Sequence, residues 1–161
     1  MQTKFTRDAV VIRDVTETPV AIMQHRGDPA TIGDTIRRFI AWRKAAGLPP
    51  SSSATFNIFH DDPRTTPSLD YRLDLCAGTS RPFDAHGVPI EVGIIPGGRC
   101  AVLRVTGNSD NLEPAALYLY RDWLPASGEE TRDFPLYCQR LAFFPEVAEH
   151  AAVTDLFLPL K

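Results

Sequence analysis

Pro96–Trp123, PGGRCAVLRVTGNSDNLEPAALYLYRDW, is the stretch whose reading decides the fold. It runs turn, strand, turn, helix, and Thr18–Gly47, TPVAIMQHRGDPATIGDTIRRFIAWRKAAG, runs through the same signals in the same order. Ala21 matches Ala101, Gly27 matches Gly107 and Ile32 matches Leu112, all offset by 80 (101−21, 107−27, 112−32). Trp42 pairs with Trp123 and Gly47 with Gly128 at an offset of 81, so one residue is inserted in the second helix. Two copies are too few for a solenoid, and they predict a pseudo-symmetric single domain with repeat halves at about 9–77 and 89–160. The expected place for a ligand in such a domain is the seam between halves.

The totals set the class. A chain of 161 residues with 43% hydrophobic and 23% charged residues matches one globular domain. A net charge of −3 lacks the excess of basic residues that a dedicated nucleic-acid binder carries, so direct nucleic-acid binding is not expected. No apolar run approaches the ~20 residues of a membrane helix, and MQTKFTRDAV has no signal-peptide core. Cys76, Cys100 and Cys138 are odd in number and show no CxxC spacing, which fits reduced thiols and a cytoplasmic location.

Working outward from the repeat, Ala9–Val15 and Val20–Arg26 are short β-branched runs that read as a hairpin around TETP, as do Pro89–Ile95 and Arg99–Thr106 around Pro96-Gly97-Gly98. Asp28 and Pro29 start the first helix, whose apolar stripe is Ile32, Ile36, Phe39 and Ile40, with Arg37, Arg38, Arg43 and Lys44 on a solvated face. Ser109 or Asp110 caps the second helix, with the stripe Leu112, Ala116, Leu119, Tyr120 and Trp123. Strands follow at Ala54–Phe59, Leu69–Ala77, Leu136–Phe143 and Val153–Leu160, and FPEVAEHAA reads as a loop with a short helical turn. Each unit is thus ββαββ, and the fold class is α+β.

VAIMQHRG, HDDP with Thr66-Pro67 after it, YRLDLCA, IPGGRCAVLRVTG, LYRDWLPASGEE, RDFP and TDLFLPLK occur in one order from about Ala9 to Lys161. On these motifs the chain resembles the GyrI-like (gyrase-inhibitor-like) small-molecule-binding domains, which also form the effector-binding part of certain AraC-type and multidrug-sensing regulators. The resemblance implies duplicated βαββ-type modules, two main helices on a curved antiparallel sheet, pseudo-two-fold symmetry and a cavity between modules. It implies a stand-alone effector-binding domain, with DNA gyrase or a transcription regulator as protein partner. In cation-binding relatives a glutamate lies on the strand after RD-x-P; Cys138 stands at that place, and the later tyrosine is Arg140.

The candidate ligand-binding residues are Phe56, Phe59, Tyr71, Tyr120, Trp123, Tyr137 and Cys138, weighed against a plain core role for the aromatics. No cofactor or metal is expected: His60, Asp61 and Asp62 are adjacent on a turn and converge poorly on one ion, so the aspartates read as turn caps beside Pro63. Cys138 could act as a nucleophile with His60 or His150 as base, but a strand cysteine reads first as a small buried hydrophobe. These readings predict a binder of hydrophobic or aromatic molecules, multidrug in character, that acts as a sensor or sequestering protein. The alternatives are a gyrase-inhibiting interaction protein and a small hydrolase of the same fold.

Overall fold

Glycine and short polar side chains punctuate both copies identically, and they set the element boundaries. In the computed structural model, which describes residues 5–143 and 146–161, the strands are β1 (Val10–Val15), β2 (Thr18–Arg26), β3 (Thr55–Phe59), β4 (Arg72–Gly78), β5 (Glu91–Ile95), β6 (Gly98–Thr106), β7 (Tyr137–Ala142) and β8 (Val153–Pro159). Helix α1 spans Ile32–Ala46, and the second helix consists of α2 (Leu112–Tyr118), a wide π turn (Leu119–Trp123) and α3 (Leu124–Ser127). The fold is α+β, with antiparallel strands and two main helices. Phe144 and Pro145, at the start of FPEVAEHAA, lie outside the described residues, and Glu149–Ala151 forms the short helical turn expected there.

The chain divides into two compact units: a first unit, Glu17–Pro96, and a second unit made of the chain up to Thr16 together with Gly97–Lys161. In the first unit the antiparallel order is β3-β4-β2-β5; in the second it is β7-β8-β6-β1. These orders correspond strand for strand, but they correct the two expected hairpins. β1 pairs with β6, Val15 opposite Gly98, and β2 pairs with β5, Thr18 opposite Ile95. β1 and β5 are repeat-equivalent, with β-branched residues matched at Ile12 and Val92 and at Val15 and Ile95, and each pairs with a strand of the other copy.

The helix ends follow their sequence signals. Asp28 accepts a hydrogen bond from Ala30 N at 2.9 Å, with Pro29 opening the turn that leads into α1. The equivalent cap in the second copy is Asn108 (28+80), which accepts from Asp110 N, rather than Ser109 or Asp110. Gly47 and Gly128 stop their helices in the left-handed region, φ 71° and 74°, where a side chain would be strained. Gly27 N donates to Tyr71 O at 2.8 Å and Gly107 N to Ala152 O at 2.9 Å, the same closure in both copies.

The inserted residue is visible in the backbone. Leu124 N–H reaches back to Leu119 O, an i→i+5 bond that lets one helical turn hold an extra residue. Trp42 and Trp123 are consequently both buried, five residues ahead of their glycines (47−42, 128−123).

The helix stripes need correction. In α1 the buried residues are Phe39, Trp42 and Arg43, while Ile36 and Ile40 are exposed. Phe39, Trp42 and Leu48 pack on Ala21, Met23, Leu75 and Ala77 of the sheet. Arg43, expected on a solvated face, is turned inward by three acceptors: Nε donates to Leu48 O, Nη1 to Thr55 Oγ1 and Nη2 to Ser53 O, each at 2.7 Å. In the second unit Leu112, Ala115, Leu119 and Trp123 are buried, whereas Tyr120 is 45% exposed.

Candidate ligand-binding site

Strand register decides which side chains share a face, because directly opposed residues of an antiparallel pair point the same way. In the first unit, Ala21, Met23, Leu75 and Ala77 face α1. The opposite face therefore carries Phe56, opposed to Cys76, and Ile58, opposed to Asp74, which is in turn opposed to Gln24. In the second unit the equivalent opposite face carries Tyr137, opposed to Phe157, which is in turn opposed to Val102, and Gln139, opposed to Asp155, which is in turn opposed to Arg104. Phe56 and Tyr137 hold the same place in the two copies, at an offset of 81 (137−56).

The seven predicted residues separate accordingly. Tyr137 stacks on Phe157, with centroids 4.8 Å apart and planes at 2°, and Phe134 meets it edge-on at 6.0 Å. Arg13 of β1 sits 5.7 Å above the Phe157 ring. The Tyr137 hydroxyl is pushed well above the ordinary phenol range by burial, reinforced by the Cys100 thiol 3.9 Å away. Cys138 is opposed to Leu156, on the helix-covered face of its sheet, and is fully buried. Trp123 is buried in the second helix and Tyr120 is exposed beside it. In the first unit Phe56 is buried on the opposite face, and Phe59, half-buried, is opposed to Leu73. Tyr71 is buried 6.5 Å from the His25 ring, and its hydroxyl is pushed upward by burial and by the charges of Asp61 and Asp62.

A buried polar group escaped the sequence reading. Asp74 and Asp155 occupy equivalent places (155−74 = 81), and both are buried carboxylates on the opposite faces of their sheets. Asp155 is neutralised by Arg104, which donates from Nε at 2.9 Å and Nη2 at 3.1 Å, with Arg13 3.8 Å away. Asp74 has Gln24 where Asp155 has Arg104: Gln24 Nε2 donates to Oδ1 at 2.8 Å, and His60 Nε2 lies 2.7 Å from Oδ2. Arg72, Asp74 and Cys76 alternate along LDYRLDLCA and so share one face, but the burial of Asp74 is not legible in that pattern. Asp62 does cap its turn, accepting from Arg64 N at 2.9 Å. Asp61 instead clamps Arg72, whose backbone N and guanidinium both donate to it, and this bonding holds the Asp61 carboxyl below the usual carboxylate range.

Elsewhere in the first unit a cleft of about 250 Å³ lies at the C-terminal end of α1, lined by Leu48, Thr79, Arg81, Pro82 and Phe83 among others. None of the seven candidates lines it. Among the described residues, no group of three or more His, Cys, Asp or Glu is placed to hold a metal ion.

The model of the GyrI-like small molecule binding domain matches residues 8–161. The chain belongs to the GyrI-like family. It is 36% identical over 159 residues to the probable transcriptional regulator YgiV of Escherichia coli (strain K12), covering 98% of this chain and 99% of that protein. Among solved structures it resembles the C-terminal domain of EcmrR, with a TM-score of 0.75 at 16% identity, covering 94% of this chain and 96% of that one. It also resembles EcmrR in a complex with DNA, with a TM-score of 0.73 at 16% identity; there it covers 94% of this chain but spans only 57% of the EcmrR chain. This GyrI-like chain is therefore a small-molecule-binding domain related to a probable transcriptional regulator, and among its described residues no helix is long and apolar enough to cross a membrane.

Proposed function

We propose that this GyrI-like protein takes up small hydrophobic or aromatic molecules and works as a sensor or a sequestering protein. The observation that carries this reading is the parallel stack of Tyr137 on Phe157, with Phe134 at its edge and Arg13 above it, on the sheet face that α2 does not cover. Flat apolar walls with few polar groups recognise a ligand by area more than by hydrogen bonds, which suits broad specificity. Tyr137, Phe157 and, in the equivalent place of the first unit, Phe56 are the residues we assign to ligand contact. Relatedness to a probable regulator supports a sensing role, exercised through a protein partner rather than through DNA contact by this domain.

A thermal-shift screen with hydrophobic dyes and drugs tests the reading. Ligand at 100-fold its Kd stabilises by about 2.7 kcal/mol, which raises Tm by roughly 5–10 °C for a domain of this size. A panel that leaves Tm unmoved refutes it.

A further inference from the structure

β1 and β5 hold equivalent places in the two copies, and each is the last strand of its sheet, bonded on one side only: β1 to β6 and β5 to β2. Among the described residues nothing bonds to the outer side of β5. A bare edge presents a row of unpaired N–H and C=O groups, and charged side chains are a common guard against its pairing with another chain. β1 has that guard, because Arg13 and Asp14 stand exposed along it. At the equivalent places, 80 residues on, β5 has Gly93 and Ile94. Both charges are gone and the edge is apolar: Val92 is 81% exposed and Ile94 52%. Val92 is opposed to Ala21 and Ile94 to Pro19, so both side chains stand on the α1 face, at the rim of the core that Ala21, Met23 and Leu75 form with the helix. Gly93 faces the other way, and the Ile22 side chain lies over it, where a Cβ would meet Ile22 Cδ1. Glu91 is the one charge left on the strand.

This strand is its own complement. A two-fold axis through Gly93 sets Val92 against Ile94 of a second copy, and Ile94 against that copy's Val92, so four β-branched side chains meet on one face. The two Glu91 carboxylates then lie four positions apart, about 14 Å along the strand at ~3.4 Å per residue, beyond the ~8 Å screening length of physiological salt. In β1 the equivalent axis, through Arg13, sets one guanidinium against the other and opposes pairing. We propose that the partner of β5 is a second copy of this chain, the two strands pairing antiparallel about Gly93 and joining two four-stranded first-unit sheets into one. The contact is isologous and uses β5 of both copies, so it closes at two. A strand of five residues is about 17 Å long and buries less than the ~1,200 Å² of a standard interface, which makes the dimer a transient one, with Kd on the order of 10–100 µM.

Sedimentation velocity of the full chain, from about 2 µM to about 500 µM so as to bracket that Kd, tests the proposal without any ligand. The expected result is a weight-average mass that rises with concentration from 17.8 kDa toward twice that value and goes no further. Ile94→Asp gives β5 the residue that β1 carries at position 14, and it weakens the dimer by about tenfold or more. Leu69→Asp removes an 82% exposed leucine away from this edge and leaves the dimer unchanged. A cross-link reads the register and decides alone if Ile94→Asp lowers the melting temperature of the dilute monomer. Directly opposed residues of an antiparallel pair lie within disulfide reach, so an oxidised mixture of Val92→Cys and Ile94→Cys proteins yields more disulfide dimer than either protein by itself. The native Cys76, Cys100 and Cys138 are buried and do not compete. A monomer at every concentration, growth beyond two copies, a dimer indifferent to Ile94→Asp, or a mixture that cross-links no better than its components overturns the proposal.

Discussion

Removing the Arg43 side chain tests the packing of the first unit most sharply. Its guanidinium is buried, donates three hydrogen bonds of 2.7 Å, and lies 5.8 Å from the Phe39 ring. Among the described residues no carboxylate faces it, and burial pulls its pKa from 12.5 down to about 10. At about 1.4 kcal/mol per pKa unit, that desolvation costs the folded protein on the order of 3 kcal/mol. Three hydrogen bonds from a charged donor, worth roughly 1.5–3 kcal/mol each, exceed that cost, so the arginine is a net stabiliser. Arg43→Met recovers the desolvation term and fills similar volume, but it leaves Leu48 O and Ser53 O buried without donors, at about 1–3 kcal/mol each. The expected loss is about 2–4 kcal/mol, by urea denaturation with an unchanged m-value. Arg43→Lys loses as much, since one ammonium cannot span three acceptors set around a planar fork. Lys44→Met, on the exposed side of the same turn, is the control and stays within about 0.5 kcal/mol. An Arg43→Met protein as stable as wild type would refute the reasoning, because it would mean the three acceptors are not anchoring the 48–55 connector.

Deleting Arg121, an exposed residue of the π turn, restores a helix of the first copy's length and keeps Trp123 in its place. Deleting Arg38 from α1 instead rotates Trp42 off the sheet. The first variant retains a cooperative thermal transition and the second does not; equal damage from both would contradict the insertion account. Asp61 beside Arg72 and Glu129 beside Arg99 have carboxyl groups held below their ordinary values of 3.8 and 4.5. Folding therefore favours their ionised forms: the stability they add is present above those values and is lost as pH falls through the lower folded ones. Acid titration of stability should be shallower below pH 4 in Arg72→Met and Arg99→Met than in wild type, measured by denaturation at fixed ionic strength.

Much of this arrangement was legible in the sequence because the repeat doubled every local signal. The 80-to-81 drift located the extra residue, and the π turn is where the backbone accommodates it. The glycines at 47 and 128 and the cap at Asp28 were legible because each solves a local problem of the helix end. Strand exchange was not: β1 and β5 carry equivalent patterns, so nothing in either distinguishes the neighbouring strand from its copy 80 residues away. Arg43 was misplaced because hydropathy cannot register carbonyls that arrive from a later connector. Tyr120 was misplaced because the π turn shifts the helical phase that assigned it to the stripe. At the candidate site, the Tyr137–Phe157 stack follows from register, whereas the Asp74–His60 contact joins residues whose nearness depends on the whole first-unit sheet.

The central claim is that the aromatic face of the second unit contacts a bound hydrophobic molecule. The most direct measurement is an NMR titration of protein labelled at Phe and Tyr rings, using a dye that raises the melting temperature. The account predicts saturable one-to-one shifts in the Tyr137, Phe157 and Phe134 ring signals, with Tyr118 and Phe39, which contact other side chains, unaffected. Saturable binding that leaves the Tyr137 and Phe157 signals in place would contradict it.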